Sequence, residues 1–495
     1  MLFRIGRVSL MTTALAVLTA CGGGGGGGGV SGTVPDTPVA PVVPAGLFAS
    51  QAVELPDPRS YYTCENSLFL NMIDAIDMNG DGRLDLVAHY WCNQWNKTVD
   101  YRDPTPNSLV VFLAQADGSY RIGNQELFGR TRVDLGGASR KSRVADFNGD
   151  GYPDIFYAMN HEDGRPVSSD NSNQFAQAAF LMSSGKASYR IDLLDPPNWY
   201  HGIDLARNAV GGYDAVANAL GSGTALAFRQ LAGQWTRVDG YPMVSGLTFS
   251  FVNDGPGEST QLVTGGLQSP AQLQLLQKSA GAWKETANIL FESKQVPFTS
   301  WQGSDTDVTT IALDGDDIVA AGFDETCTGR LTPTGRPVVI GRMAGYRIAG
   351  GYKPSMGRIR EGSTPAFHSL LVYEIADGQL QRKTQVIQGE DTTIAFNKYE
   401  CRDINADGFM DLVGYPLTRQ GQPVVYLNNG AGQLVRFSSS EFPVPPSCYG
   451  DTGTRLADLN GDGIQDLIMF RSGPTAGSCN VPPILVYYGK KRPGQ

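Results

Sequence analysis

The sequence predicts an all-β fold, a seven-bladed β-propeller of four-stranded antiparallel blades. Three observations point there. One acidic string occurs four times, as "DMNGDGRLDL" from Asp77, "DFNGDGYPDI" from Asp146, "DINADGFMDL" from Asp403 and "DLNGDGIQDL" from Asp458. Each copy is followed by an apolar strand, a glycine-containing turn and a second strand that often opens with an aromatic residue or leucine. The chain is rich in Gly, Val, Thr, Tyr and Phe and lacks long amphipathic helical patterns. Self-similarity at this period, with about four strands per unit, marks a propeller.

The first segment, "MLFRIGRVSLMTTALAVLTAC", begins basic at Arg4 and Arg7, turns apolar and ends in small residues. Residues 1–20 read as a secretory signal whose apolar run is too short to span a bilayer. "LTAC", Leu18–Cys21, resembles the lipobox of bacterial lipoproteins, which implies that Cys21 carries a lipid and becomes the first mature residue. Gly22–Gly29 and the Val/Pro/Ser/Thr-rich stretch after it make residues 21–45 a flexible tether. Gly22 stands where lipoproteins retained at the inner membrane commonly carry aspartate. The expected location is therefore the bacterial cell envelope, at the outer membrane, with residues 46–495 forming the propeller in water.

With 39 Lys and Arg against 49 Asp and Glu, the formal net charge is −10. No basic stripe is available to displace counterions from phosphates, which disfavours a nucleic-acid partner. Beyond Cys21 stand Cys64, Cys92, Cys327, Cys401, Cys448 and Cys479. An even number in an exported chain points to disulfides. Pairing Cys64 with Cys92, Cys327 with Cys401 and Cys448 with Cys479 keeps each bridge within one repeat or between neighbours. A zinc site is disfavoured, since there is no CxxC and the four histidines are scattered.

The acidic string has the chemistry of a calcium loop. Calcium takes six to eight oxygens, and a turn offering side-chain oxygens at positions 1, 3 and 5 and a backbone carbonyl at 7 wraps such an ion. Positions 1, 3, 5 and 9 are Asp, Asn, Asp and Asp, with glycine at 6 where the chain turns sharply. Position 12, where an EF-hand needs glutamate, is Ala88, Tyr157, Gly414 or Met469, and an apolar strand follows rather than a helix. Each loop therefore joins two strands. The competing reading is a metal-free Asp/Asn/Gly hairpin turn.

Further copies of the strand–turn–strand phrase without an intact acidic loop start at Thr224, Ala271 and Leu370, and a seventh from Pro483 stops before its last strand. The D-x-N-G-D-G-x-x-D loops and these repeats together resemble the FG-GAP and VCBS repeat family, nearer its VCBS-like form. That resemblance implies calcium held between the first and second strands of a blade. By that comparison the ligands are Asp77, Asn79, Asp81 and Asp85 with the Arg83 carbonyl, and Asp146, Asn148, Asp150 and Asp154 with that of Tyr152. The other two sets are Asp403, Asn405, Asp407 and Asp411 with Phe409, and Asp458, Asn460, Asp462 and Asp466 with Ile464. Ala406 replaces the usual glycine of the third set. The middle blades are expected to do without the ion: "RNAVGGYDAV" from Arg207 has no acidic cluster, "NDGPGESTQLV" from Asn253 keeps fragments and "DGDDIV" from Asp314 is a truncated fifth-blade loop.

The seventh blade needs a strand, and "GLFASQAVEL", Gly46–Leu55, is the natural donor to close the ring and cover its edge. If the acidic loops occupy one face, the connections between second and third strands open on the other, near 89–108, 158–177, 320–368, 415–422 and 471–483. Trp91, Trp95 and Tyr101, with Trp199 and Tyr200 of "PPNWYHG", offer aromatic faces suited to sugars or peptide side chains; packing beneath their own loops is the alternative. His89, His161, His201 and His368 are candidate bases, but no hydrolase or zinc-protease motif accompanies them. The expected protein is a lipid-anchored, calcium-stabilised propeller that binds a glycan or an envelope or extracellular protein, with no catalytic residue assigned. Two alternatives stand beside it: a carbohydrate-active enzyme such as a polysaccharide lyase, and a structural envelope assembly component.

Overall fold

The computed structural model describes residues 48–49, 51–61, 68–92, 108–160, 175–219, 225–242, 248–252, 257–266, 272–290, 299–301, 308–310, 318–348, 363–384, 386–387, 396–405, 407–416, 423–436, 442–444, 446–449, 452–471 and 481–490. Seven antiparallel sheets follow one another around an axis. Blade 1 comprises Leu68–Ile76, Asp85–Cys92, Ser108–Ala114 and Tyr120–Ile122, with Val133–Asp134 added beside its third strand. Blade 2 comprises Ala138–Ala145, Asp154–Asn160, Ala176–Ser183 and Tyr189–Asn198, and blade 3 Tyr200–Arg207, Tyr213–Ala219, Ala225–Leu231 and Gln234–Val238. Blade 4 is Thr248–Phe251, Gln261–Gly266, Gln272–Ser279 and Ala282–Leu290; blade 5 is Ile318–Arg330, Pro337–Ile348, Ser363–Ala376 and Gln379–Lys383. Blade 6 is Phe396–Arg402, Asp411–Pro416, Val424–Asn428 and Leu434–Arg436, and blade 7 supplies Thr452–Ala457, Asp466–Arg471 and Ile484–Tyr487.

The first strands stand side by side around the axis, and the core lies between blades. Strands sandwiched this way are buried on both faces, which is why the second strands read as continuous apolar runs rather than as alternations. Blade 1 illustrates the sorting: Val87 packs among residues of blade 2, whereas Leu86, Ala88 and Tyr90 pack against Ile468, Phe470 and Ile484 of blade 7. The five remaining blade interfaces each enclose a cluster of the same kind. Period-two alternation therefore sends successive side chains to opposite neighbours, and each blade is stable only as part of the ring.

The N-terminal segment closes that ring. Val53–Glu54 pairs antiparallel with the last strand of blade 7, with Val53 opposite Val486 and Glu54 opposite Leu485. Upstream, Phe48 bridges Gly489 and the Ala49 amide donates to the Tyr488 carbonyl at 2.8 Å. Phe48 is buried in the interface of blades 6 and 7, its ring 5.5 Å from that of Phe442.

Blade 5 departs from the sequence expectation. Its first strand continues through Arg330, so the connection from first to second strand is 331–336, "LTPTGR", and the acidic fragment from Asp314 is not that loop. Most of 320–368, expected as a long loop, is strand, because Ile318–Arg330, Pro337–Ile348 and Ser363–Ala376 pair in sequence. The second-to-third connection there is 349–362, outside the described residues.

Phe48→Ala removes an aromatic side chain from the seam and is expected to lower the unfolding free energy by about 3 kcal/mol in urea titrations with calcium present. An unchanged midpoint would show that this segment does not hold the ring shut.

Candidate functional site

The four acidic loops share one hydrogen-bond network. In blade 1, Asp77 accepts the Gly80 and Asp81 amides at Oδ1 (2.7 and 3.1 Å) and the Gly82 amide at Oδ2 (2.8 Å). Asn79 accepts the Asp81 amide at 3.0 Å, and Asp81 accepts that of Arg83 at 2.9 Å. Asp146, Asn148 and Asp150 repeat this in blade 2, with the Tyr152 amide on Asp150 at 2.9 Å. Asp403, Asn405 and Asp407 hold the Gly408 and Phe409 amides in blade 6, and Asp458, Asn460 and Asp462 hold those of Gly463 and Ile464 in blade 7. The turn needs position 6 in the left-handed region, where Gly82, Gly151, Gly408 and Gly463 have φ of 83–86°.

In this conformation the carboxylates cap their own turns, and no group of three His, Cys, Asp or Glu among the described residues converges as a metal centre. The donors are nevertheless all oxygens, as a hard divalent cation requires.

The aspartate at position 9 has a role that the sequence reading missed. Asp85 is fully buried, with Oδ2 accepting the Met78 amide at 2.9 Å and Oδ1 the Ala114 amide at 2.8 Å. One carboxylate thus ties the loop, the start of the second strand and the end of the third. Asp154 does the same with Phe147 and Ser183, Asp411 with Ile404 and Asn428, and Asp466 with Leu459 and Gly489. Burial lifts these carboxyls from the ordinary 3.8 to about 7 for Asp85, Asp154 and Asp466 and about 6 for Asp411, against the lowering effect of the backbone bonds.

Blade 3 provides an internal comparison. Asp214 is equally buried and occupies the corresponding start of the second strand, but the connection before it is one residue shorter: 207–213 lie between the paired Ala206 and Asp214, against 77–84 between Ile76 and Asp85. Here Arg229 makes a bidentate ion pair with Asp214, at 2.5 and 2.6 Å, and the Asn208 amide and Tyr241 hydroxyl complete the shell at 3.0 and 2.8 Å. The register places Leu113, Met182, Leu427 and Tyr488 opposite the position-9 aspartates, and Arg229 opposite Asp214. The blade that lacks an acidic loop thus carries a side-chain cation at that place.

The other feature is a cavity of about 600 Å³ on the axis, walled by first-strand residues of all seven blades. Asp74, Arg143, Glu400 and Arg455 each stand three residues before the first aspartate of their blade's loop, and Asp204 stands at the matching place in blade 3. In ring order, blades 6, 7, 1, 2 and 3 present acid, base, acid, base, acid. Arg143 Nε meets Asp204 at 2.9 Å, and Asp74 accepts the Ser142 hydroxyl at 2.6 Å. The cavity therefore belongs to the half of the channel nearer the acidic loops, rather than to the opposite face.

The aromatic candidates fare differently. Trp199 and Tyr200 are buried where blade 2 passes into blade 3, and the Tyr200 hydroxyl donates to the Pro196 carbonyl at 2.7 Å, so they are core and not a platform. Trp91 is half-buried at the end of a strand, and Trp95 and Tyr101 lie outside the described residues. His89 is buried beside Tyr157, ring centroids 5.8 Å apart; the side chains of His161, His201 and His368 lie outside the described residues. Cys327 and Cys401 form a disulfide joining the first strands of blades 5 and 6 in the cavity wall. Cys92 and Cys448 are also disulfide-bonded, while Cys64 and Cys479 lie outside the described residues. No described helix is long and apolar enough to cross a membrane, which says nothing of strands.

The FG-GAP-like repeat family matches residues 77–157 and 403–469, the stretches that contain the four acidic loops. No curated protein matches the chain. Among solved structures, the exotype rhamnogalacturonan lyase YesX is 12% identical with a TM-score of 0.41, over 88% of this chain and 75% of that one. A Bacillus licheniformis rhamnogalacturonan lyase is 11% identical with a TM-score of 0.41, over 90% and 75%. The C-terminal WD40 domain of Sif2 is 9% identical with a TM-score of 0.39, over 90% and 100%. Likeness at this level says nothing of activity. The ring of seven four-stranded blades makes the chain a β-propeller, and its stretches 77–157 and 403–469 carry FG-GAP-like repeats.

Proposed function

We propose that the protein is a calcium-stabilised recognition propeller, held by a lipid on Cys21 at the outer membrane of a bacterial cell envelope, that binds a glycan or protein partner. The observation that carries this reading is the exchange of cation between blades. Burying a carboxylate is costly unless positive charge accompanies it. Asp214 has Arg229, whereas Asp85, Asp154, Asp411 and Asp466 make no ion pair with a described Lys, Arg or His. In each of those four blades the buried aspartate adjoins two further loop aspartates and an asparagine. A divalent cation there supplies the charge that Arg229 supplies in blade 3.

The residues that would hold it are those at positions 1, 3, 5 and 9, with the backbone oxygen of Arg83, Tyr152, Phe409 or Ile464. The ion clamps a turn that joins two strands, and binding stabilises the folded form by mass action. With the loops serving the scaffold, the charged axial cavity is left as the place for recognition. The tether gives a lipid-held propeller reach from the membrane surface.

Titration calorimetry of the full chain in detergent, after chelation, is expected to show four calcium sites per chain, and thermal unfolding a large upward shift on adding the ion. Neither heat nor shift would end the calcium reading.

Acidity is expected to act in the opposite sense from ordinary acid denaturation. The four carboxyls have folded pKa values raised to about 6–7 from 3.8, so the folded state retains protons that the unfolded chain releases. In chelator, their contribution is full below about pH 4 and is lost as pH rises through 6–7. The chelated melting temperature should therefore be higher at pH 5 than at pH 8, and calcium should raise it more at pH 8.

Arg229→Met strands the Asp214 charge and is expected to cost about 3 kcal/mol that calcium does not restore. Adding Asp214→Asn should recover much of the loss, and a double-mutant cycle in urea checks the coupling.

A further inference from the structure

We infer that the charge of Arg83 makes the acidic loop of blade 1 the weakest of the four calcium sites, the first to release its ion as calcium falls. This rests on the calcium reading above and concerns the regulation of those sites. The loop Asp77–Asp85 holds three aspartates and one arginine, a formal charge of −2. Asp146–Asp154, Asp403–Asp411 and Asp458–Asp466 each hold three aspartates and no base, a charge of −3. Calcium affinity is tuned by the charge that a loop brings and by its rigidity. At position 7, where blade 1 has Arg83, the other loops have the uncharged Tyr152, Phe409 and Ile464.

The guanidinium is also held on a ligand. Arg83 Nη2 is ion-paired with Asp81 Oδ2, the oxygen that accepts the Asn79 side-chain amide at 3.1 Å. Its Nε donates to the Ala114 carbonyl at 3.4 Å, at the strand end whose amide Asp85 holds. In blade 2 the corresponding oxygen of Asp150 accepts the Ser183 hydroxyl at 2.5 Å and the Gly185 amide at 3.1 Å. In blades 6 and 7, Asp407 and Asp462 accept the Asn405 and Asn460 side-chain amides at 2.9 and 3.2 Å. Those donors are neutral, whereas an ion entering loop 1 competes with a cation for Asp81. The Arg83–Asp81 pair is partly exposed, so solvent screens it, and repulsion between the guanidinium and a divalent ion adds to the competition. Together these effects give roughly a tenfold loss of affinity rather than loss of the site. Blade 1 borders the closure of the ring, where Val53–Glu54 completes blade 7, so the first ion to leave is one beside the seam.

Titration calorimetry of the full chain in detergent, after chelation, tests this. Three sites of similar affinity and one roughly tenfold weaker are expected. Arg83→Gln should bring the weak site to within about threefold of the others, whereas Arg83→Lys, which keeps the charge, should leave it weak. Asp77→Asn should abolish the weak step, and Asp458→Asn should remove a tight one instead. A weak step that Arg83→Gln does not move, that Arg83→Lys strengthens as much as Arg83→Gln does, or that survives Asp77→Asn overturns the inference. Calcium binding at four equal sites in the unaltered chain removes this inference alone; no calcium heat at all removes the reading beneath it as well.

Discussion

The structure depends on a carboxylate placed inside a sheet. At the end of each acidic loop, one buried aspartate accepts two backbone amides, one from its own loop and one from the end of the third strand. That geometry fixes where the turn ends and the second strand begins, and it ties the third strand to the same point. Two amide donors offset part of the cost of burial, but they carry no net charge, and the carboxyls stay well above their ordinary pKa. A cation or a proton must complete the arrangement.

The blades that carry these aspartates flank the place where the ring is closed. Blades 6, 7, 1 and 2 form a continuous arc, and the chain ends meet in its middle, between blades 7 and 1. There the closing strand contributes a ladder of only two residues, reinforced by Phe48 and Ala49. Tyr488 adds a bond across the seam, donating to the Gly118 carbonyl of blade 1 at 3.2 Å. Away from the seam other devices appear: the Asp214–Arg229 pair in blade 3 and the Cys327–Cys401 bridge between blades 5 and 6, which closes a long loop and constrains the unfolded chain. Ion sites at the seam would reinforce the blades that covalent continuity supports least.

The architecture was legible because its signals are local. The nine-residue loop, the apolar run after it and the missing last strand of blade 7 can all be read without knowing any partner. What stayed hidden needs register. Arg229 lies fifteen positions from Asp214, and only the antiparallel pairing of the second and third strands brings them together. The retained Asp214 in an otherwise degraded loop was the available sign. The two amide bonds of the position-9 aspartates stayed hidden because an aspartate oxygen suits an ion and a backbone amide equally. Trp199 and Tyr200 looked like a platform because polar residues flank them, but the passage between two blades is an interface and interfaces here are core. The fifth-blade loop was misplaced because its first strand runs thirteen residues, beyond the spacing that the other blades suggest.

The axial charges show why the loops and the cavity are not independent parts. Each first strand of blades 1, 2, 6 and 7 carries an axial charge and, three residues later, the first aspartate of its loop. A strand of that length is stiff, so the position of the turn sets the position of the axial side chain. In ring order each base stands between two acids, and the Arg143–Asp204 pair at 2.9 Å ties the first strands of blades 2 and 3 at one height. The turns therefore set the height of the first strands, and only at one height do charges from five blades form a single ring around the cavity.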